Sequence, residues 1–242
     1  MPDFGLDTDT LLRILAALPV IFFAITVHEL SHAWVAYRCG DPTPKQHGRI
    51  TLNPVAHFDP FGVFFILYTV FSGFGIGWGK PVVINPTNFR NPRRDELWVS
   101  AAGPISNLLQ ATAFALITPF ILLLLAVTGQ WEDEILLKFV QYFLIMGVSI
   151  NLALAFFNLI PLFPLDGEKV LMQSLPLLQA HKLAQLRPYG MPILLGLLVV
   201  GWLTEGWINP IFWWIRLLSA PFQWALNSIT AELTALLFGW FL

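Results

Sequence analysis

Two histidines and a glutamate fall within five residues, His28-Glu29-Leu30-Ser31-His32. On a helix the histidines, at i and i+4, project from one face and can share a Zn²⁺ ion. The glutamate between them points close enough to exchange a proton beside that ion. Such a pattern suits metal-assisted hydrolysis. Its surroundings are apolar: from Ile14 to Val27 no side chain is charged, so the chemistry concerns a bond in or near a membrane. The bland alternative is a helix surface that carries these groups by chance. Ionisable residues inside a membrane segment are costly and usually functional, which favours the metal reading.

Two histidines do not complete a catalytic zinc site, which takes a third protein ligand and leaves a fourth position open. Asp166 is the candidate. It follows Pro161 and Pro164 at the end of a long apolar run, and Gly167 lets the backbone turn sharply after it. Asp-Gly is also a common turn former, and Glu168 offers a second carboxylate two residues on.

The elements that must position these groups are membrane helices. Of the 242 residues 56% are hydrophobic and 12% charged, where soluble domains carry about 25% charged residues. Mean hydropathy is +0.68, and several charge-free runs reach helical length, as in an integral membrane protein. The length suits one bundle of several helices, a single domain over residues 1–242. A net charge of -2 gives no electrostatic reason for a nucleic-acid partner. Cys39 is the only cysteine, which excludes an internal disulfide and a thiolate-rich zinc site. Asp3, Asp7 and Asp9 stand where a cleavable signal would be basic.

The first helix is predicted over 11–37, with a kink at Pro19. At 1.5 Å per residue, His28 then lies roughly 21 Å along the helix from Ile14 and roughly 14 Å from Tyr37, inside the bilayer. Residues 38–60 read as loop, because Pro42, Pro44, Pro54 and Pro60 forbid a long helix. Residues 75–86, β-branched between glycines and prolines, read as short extended strands. Further spans are expected over about 97–127 and 139–160, followed by an apolar run at 191–203 and a hydrophobic, Trp-rich tail at about 204–242. Its tryptophans suit the headgroup interface. The expected fold is thus an all-α polytopic bundle with a small membrane-associated β-element.

Basic residues set the orientation. Lys45 and Arg49, then Lys80, Arg90, Arg93 and Arg94, then Lys169, Lys182 and Arg187 fall on the cytoplasmic side by the positive-inside rule, and the acidic loop at 132–134 falls outside. Both flanks of the apolar stretch 61–77 then carry the inside signal, so it is predicted to be re-entrant or interfacial and not to cross. Only with that parity does Asp166 arrive on the same side as His28 and His32. The charge pattern and the metal hypothesis demand one topology.

Four segments carry a family resemblance: HELSH at 28–32, NPVAHFDPFG at 53–62, AAGPISN at 101–107 and NLIPLFPLDG at 158–167. In this order they resemble the site-2 protease family of intramembrane zinc metalloproteases, over about residues 20 to 190, and most closely its compact bacterial-type members without PDZ or CBS domains. The resemblance implies one Zn²⁺ per chain held by His28, His32 and Asp166, with Glu29 catalytic. It implies that Asn158 holds an extended substrate backbone, that Asn107 belongs to a packing and active-site motif, and that 75–86 is the β-element beside which substrate lies. Where the family usually has a second glycine after the aspartate, this chain has Glu168.

Other readings of these residues stand beside it. Asn151 and Asn158, seven residues apart, share a helix face and could serve as hydrogen-bonding glue between helices, the favoured reading for Asn151. His57 could assist at the site or bond a loop carbonyl. Asp59 caps the following helix. The function implied is a zinc endopeptidase cleaving transmembrane segments of other proteins in the cell membrane, with its site toward the cytoplasm and a catalytic core over about 11–190. A membrane metal transporter would spread polar residues along several helices or repeat a half. An inactive helix-binding scaffold would not need Glu29.

Overall fold

The computed structural model describes residues 7–72 and 77–241, and among these every regular element is helical. Asp7 caps α1 (Thr8–Arg38) by accepting from the Thr10 amide at 2.7 Å, and the helix continues through Pro19 without a break. A short α2 (Thr43–Gln46) and a 3₁₀ turn at 54–57 lead to α3 (Pro60–Ser72). Asp59 Oδ1 accepts from the Phe61 and Gly62 amides at 3.0 Å and so starts α3. Asn91 and Pro92 open α4 (Pro92–Val127), and Asp133 caps α5 (Glu134–Asn158). Then come α6 (Asp166–Ser174), α7 (Leu177–Ala184), α8 (Arg187–Leu203) and α9 (Pro210–Phe241).

Helices α1, α4 and α5 are each long and apolar enough to cross a membrane; α7 and α8, bent by 60° at their break, could form one more span. The chain is a multi-pass membrane protein. Helix α3, with 13 described residues, rises about 20 Å, against ~30 Å for a hydrocarbon core. Residues 73–76, within both the predicted re-entrant stretch and the predicted β-element, lie outside the described residues.

The three long helices form a mutually packed core, and α9 runs along α4 and α5. Lipid offers helices no hydrophobic reason to associate, so close approach through small side chains does the work. Ala16, Ala24, Ala33 and Ala36 of α1 and Ala111, Ala115 and Ala155 of α4 and α5 are buried. Large apolar side chains face outward, among them Leu109, Phe120, Leu124 and Ile145, while Asn107 and Asn151 are fully buried. The tail at 210–241 joins this core through Leu226 and through the Trp214 indole, which donates to the Phe156 carbonyl at 2.9 Å.

Contacts at the helix ends fix relative direction. Lys138, near the start of α5, pairs with Asp9 at the start of α1 (3.3 Å). Arg93, at the start of α4, donates to the carbonyls of Gln173 (2.9 Å) and Leu175 beyond the end of α5. Helices α1 and α5 are therefore parallel and α4 antiparallel, which carries Asp166 to the end of the bundle where α1 finishes.

The β-element does not form among the described residues: 77–85 run without strand pairing. A strand needs a partner ladder, and here other groups take up the backbone. The Lys80 amide donates to the His57 carbonyl (2.7 Å), Arg49 donates to the carbonyls of Lys80 and Pro81, and the Asn85 amide donates to Asp41 (2.7 Å). Asp41 is fully buried. Burial alone would raise its carboxyl, but hydrogen bonds from Thr43, Asn85 and Asn88 outweigh that and hold it below its ordinary value.

Candidate metal centre

His28 and His32 lie one turn apart on α1, and Asp166 is the first residue of α6, delivered by the turn that Pro161 and Pro164 force after α5. The two Nε2 atoms are 3.0 Å apart, and Asp166 Oδ2 lies 3.2 Å from that of His28 and 3.1 Å from that of His32. Both histidines are buried, and the aspartate is nearly so.

The far nitrogens show what converges there. His32 Nδ1 lies 2.7 Å from the Val99 carbonyl, and His28 Nδ1 lies 2.6 Å from the Asn107 amide oxygen. Both partners accept only, so each Nδ1 carries the hydrogen and each Nε2 presents a lone pair. Two lone pairs and a carboxylate oxygen thus meet within 3.2 Å. That donor set fits a cation. Ligand atoms around a tetrahedral ion with bonds of about 2.0–2.1 Å stand roughly 3.3 Å apart, close to what is found.

Gly103 of α4 keeps the place open. A Cβ there would stand 2.4 Å from His32 Nε2 and 2.6 Å from His28 Nε2. Any side chain at 103 would fill the space that an ion needs. The AAGPISN segment thus brings a bare backbone to the ligand nitrogens, and one turn later supplies Asn107 to His28.

Glu29 faces a second group of residues. Its Oε2 is 3.8 Å from Nη2 of Arg49, which is buried and reaches in from the loop after α2. Segment 77–81 passes alongside: a Cβ at Gly79 would lie 3.4 Å from Glu29 Cγ and 2.6 Å from Ile25. His57 is fully buried beneath it. Its Nε2 donates to the Thr51 carbonyl at 2.8 Å, while Nδ1 and Arg49 Nε are buried without a hydrogen-bond partner among the described residues. Burial lowers the His57 imidazole below its ordinary value, outweighing the Thr51 bond, and the Arg49 charge adds to this.

The structure therefore brings His28, His32 and Asp166 together, with Glu29 beside them. Asn107 lies behind His28. Its contacts are His28, the Ala24 carbonyl and Asn151. Asn158 is half-buried at the end of α5 and donates to the Leu154 carbonyl of its own helix (3.0 Å). Glu168 is buried and makes a two-pronged pair with Arg187 (2.8 and 3.1 Å). It braces α6 against α8. Arg49 and Arg187 are functional candidates that sequence reasoning treated only as cytoplasmic charges; a buried arginine leaves no mark in sequence until its carboxylate partner is known.

Peptidase family M50 matches residues 16–200. "Putative zinc metalloprotease YwhC" of Bacillus subtilis is 40% identical over 182 residues, covering 74% of this chain and 78% of that protein. "Putative zinc metalloprotease Rip2" of Mycolicibacterium smegmatis is 27% identical over 218 residues, covering 90% and 79%. "Putative zinc metalloprotease MJ0611" of Methanocaldococcus jannaschii is 29% identical over 168 residues, covering 69% and 75%. No solved structure matches the chain. A family match over three quarters of the sequence, set on helices apolar enough to cross a membrane, leads to one conclusion: the chain belongs to peptidase family M50, as an intramembrane metalloprotease of the site-2 protease type.

Proposed function

We propose that this protease holds one Zn²⁺ between His28, His32 and Asp166 and hydrolyses peptide bonds in or near transmembrane segments of other membrane proteins, with Glu29 as general base and then acid. The observation that carries this reading is the convergence of three ligand atoms, 3.0–3.2 Å apart, beside a glycine that leaves room for an ion. The printed names of the relatives, zinc metalloproteases, favour zinc over other metals.

Bound Zn²⁺ supplies Lewis-acid polarisation of the scissile carbonyl and lowers the pKa of water. Glu29 takes the proton of the attacking water and returns it to the leaving amine. Arg49 gives the partly buried Glu29 a counter-charge. A peptide bond inside a membrane helix is hydrogen-bonded within that helix, so substrate must unwind before attack and satisfy its freed backbone groups elsewhere. The extended segment 77–81 beside Glu29 and the Asn158 amide near the end of α5 are the groups we assign to that task. His57 supports that segment through its carbonyl, which accepts from Lys80.

The catalytic core is assigned to about 11–190, with the remaining helices as its flank. The basic residues on the loops that meet at the metal end of the bundle support a cytoplasmic position of the site, and we assign the chain to the cell membrane.

The test uses the full chain in detergent, with bound zinc measured and a model transmembrane substrate. Glu29→Gln should keep the zinc and cut cleavage by about 10²–10⁴-fold. Equal cleavage by the two proteins would sink the mechanism, and a wild-type chain without metal would sink the site.

A further inference from the structure

His32 is oriented directly by a backbone carbonyl, that of Val99. His28 is oriented by a side-chain amide, and an amide can be turned over. Were Asn107 reversed, its NH₂ would face His28 Nδ1, the hydrogen would move to Nε2, and that nitrogen could no longer bind a metal. Something must hold Asn107 one way round.

The groups that hold it form a relay across three helices. Asn151 of α5 is fully buried, and its Nδ2 donates to the Gly147 carbonyl at 2.8 Å. A carbonyl only accepts, so this end of Asn151 must be NH₂ and the other end its oxygen. That oxygen accepts from Asn107 Nδ2 at 2.9 Å. The second hydrogen of the same NH₂ faces the Ala24 carbonyl of α1 at 3.4 Å. The Asn107 oxygen is thereby left for His28 Nδ1, at 2.6 Å. Reversing Asn107 would oppose its oxygen to both Asn151 Oδ1 and Ala24 O. With Asn107 and Asn151 both fully buried, no solvent can repair that mismatch.

We infer that Asn151, through Asn107, is a positioning residue that fixes His28 in the tautomer able to bind the metal. Its polarity is set at the Gly147 and Ala24 carbonyls. This inference rests on His28 being a ligand, and it gives Asn151 a task beyond joining two helices.

Zinc affinity of the full chain in detergent, read by chelator competition with helicity checked by circular dichroism, tests it. Asn151→Leu should bind zinc about tenfold or more weaker, as does loss of a group that orients a ligand. Asn151→Asp should stay within about threefold of wild type, because a buried carboxyl in its neutral form can donate its O–H to the Gly147 carbonyl and still present an oxygen to the Asn107 amide. Asn107→Leu should show the same loss, and adding Asn151→Leu to it should cost little more, the signature of two residues acting in series.

A folded Asn151→Leu with wild-type affinity would overturn the proposal. So would a double variant whose loss is the product of the two single losses, since that is what independent packing roles give. If Asn151→Leu does not fold, the comparison of Asn151→Ala with Asn151→Asp decides in the same way: equal affinities overturn the relay, and a tenfold gap supports it. A wild-type chain that binds no zinc overturns the metal reading itself, and the relay with it. Zinc bound equally by wild type and by every Asn151 variant overturns the relay alone.

Discussion

Arg49 Nη2 lies 3.8 Å from Glu29 Oε2, and the same guanidinium donates to the carbonyls of Lys80 and Pro81. One buried cation thus joins the catalytic helix to the extended segment that runs beside it. Arg49→Met would free that segment and leave Glu29 without its counter-charge. Hydrogen bonds to charged groups contribute about 1.5–3 kcal/mol, so cleavage should fall by at least about tenfold. Arg49→Lys keeps charge but not the planar fork and should fall in between. Zinc content should not change, since Arg49 touches none of the three ligands. Wild-type cleavage by Arg49→Met would refute the link.

Gly103→Ala adds a single methyl group 2.4–2.6 Å from ring atoms of both histidines. Alanine is the better helix former, so helicity should be unchanged by circular dichroism. The metal should be lost on purification, with cleavage reduced by about 100-fold or more. Full zinc occupancy in the variant, measured by elemental analysis, would mean that α4 does not border the ion.

Breaking the Glu168–Arg187 pair should be worse than removing it. Arg187→Met leaves Glu168 buried and unpaired. The cost should be roughly 2 kcal/mol, below the ~3–5 kcal/mol of a fully buried pair because the Arg187 side chain is 39% exposed. Adding Glu168→Gln should return part of the lost thermal midpoint. A double variant less stable than Arg187→Met would exclude the explanation.

The buried His57 sets a pH dependence. Its folded-state pKa is lowered from 6.5, burial being the main cause. The unfolded chain therefore binds its proton first as pH falls. The contribution to stability is complete above 6.5 and is lost below it, toward the depressed folded value. Thermal midpoints in detergent between pH 7.5 and pH 5, both roughly one unit or more from the ordinary histidine value, should fall for wild type and fall less for His57→Gln. Parallel curves would show that His57 does not titrate on unfolding.

Much of the site could be read from residue types alone. His28, Glu29 and His32 announce themselves by spacing, and Asp166 by the parity of crossings that basic loops impose. Residues whose role depends on a partner far along the chain could not be read so. Arg49 looks like any loop cation until Glu29 stands beside it, and Glu168 looks like a carboxylate for the metal until Arg187 claims it. The expected β-element failed for a related reason. Val82, Val83 and Ile84 have strand-like composition, but a strand exists only with a ladder, and Arg49, His57 and Asp41 engage that backbone instead. From sequence Asn151 reads as glue between helices. It does join them, yet its hydrogen-bond polarity, invisible in sequence, is what matters to His28.

The bare backbone at Gly103 has a consequence for how such a protease can diversify. On that side the candidate metal site borders peptide atoms of α4, whose dipoles and shape do not vary with sequence. Glu29, by contrast, is bordered by the 49–57 loop and the 77–81 segment, which carry replaceable side chains. Variation in those side chains can change what lies beside Glu29, while the backbone at 103 presents the same face to the histidines.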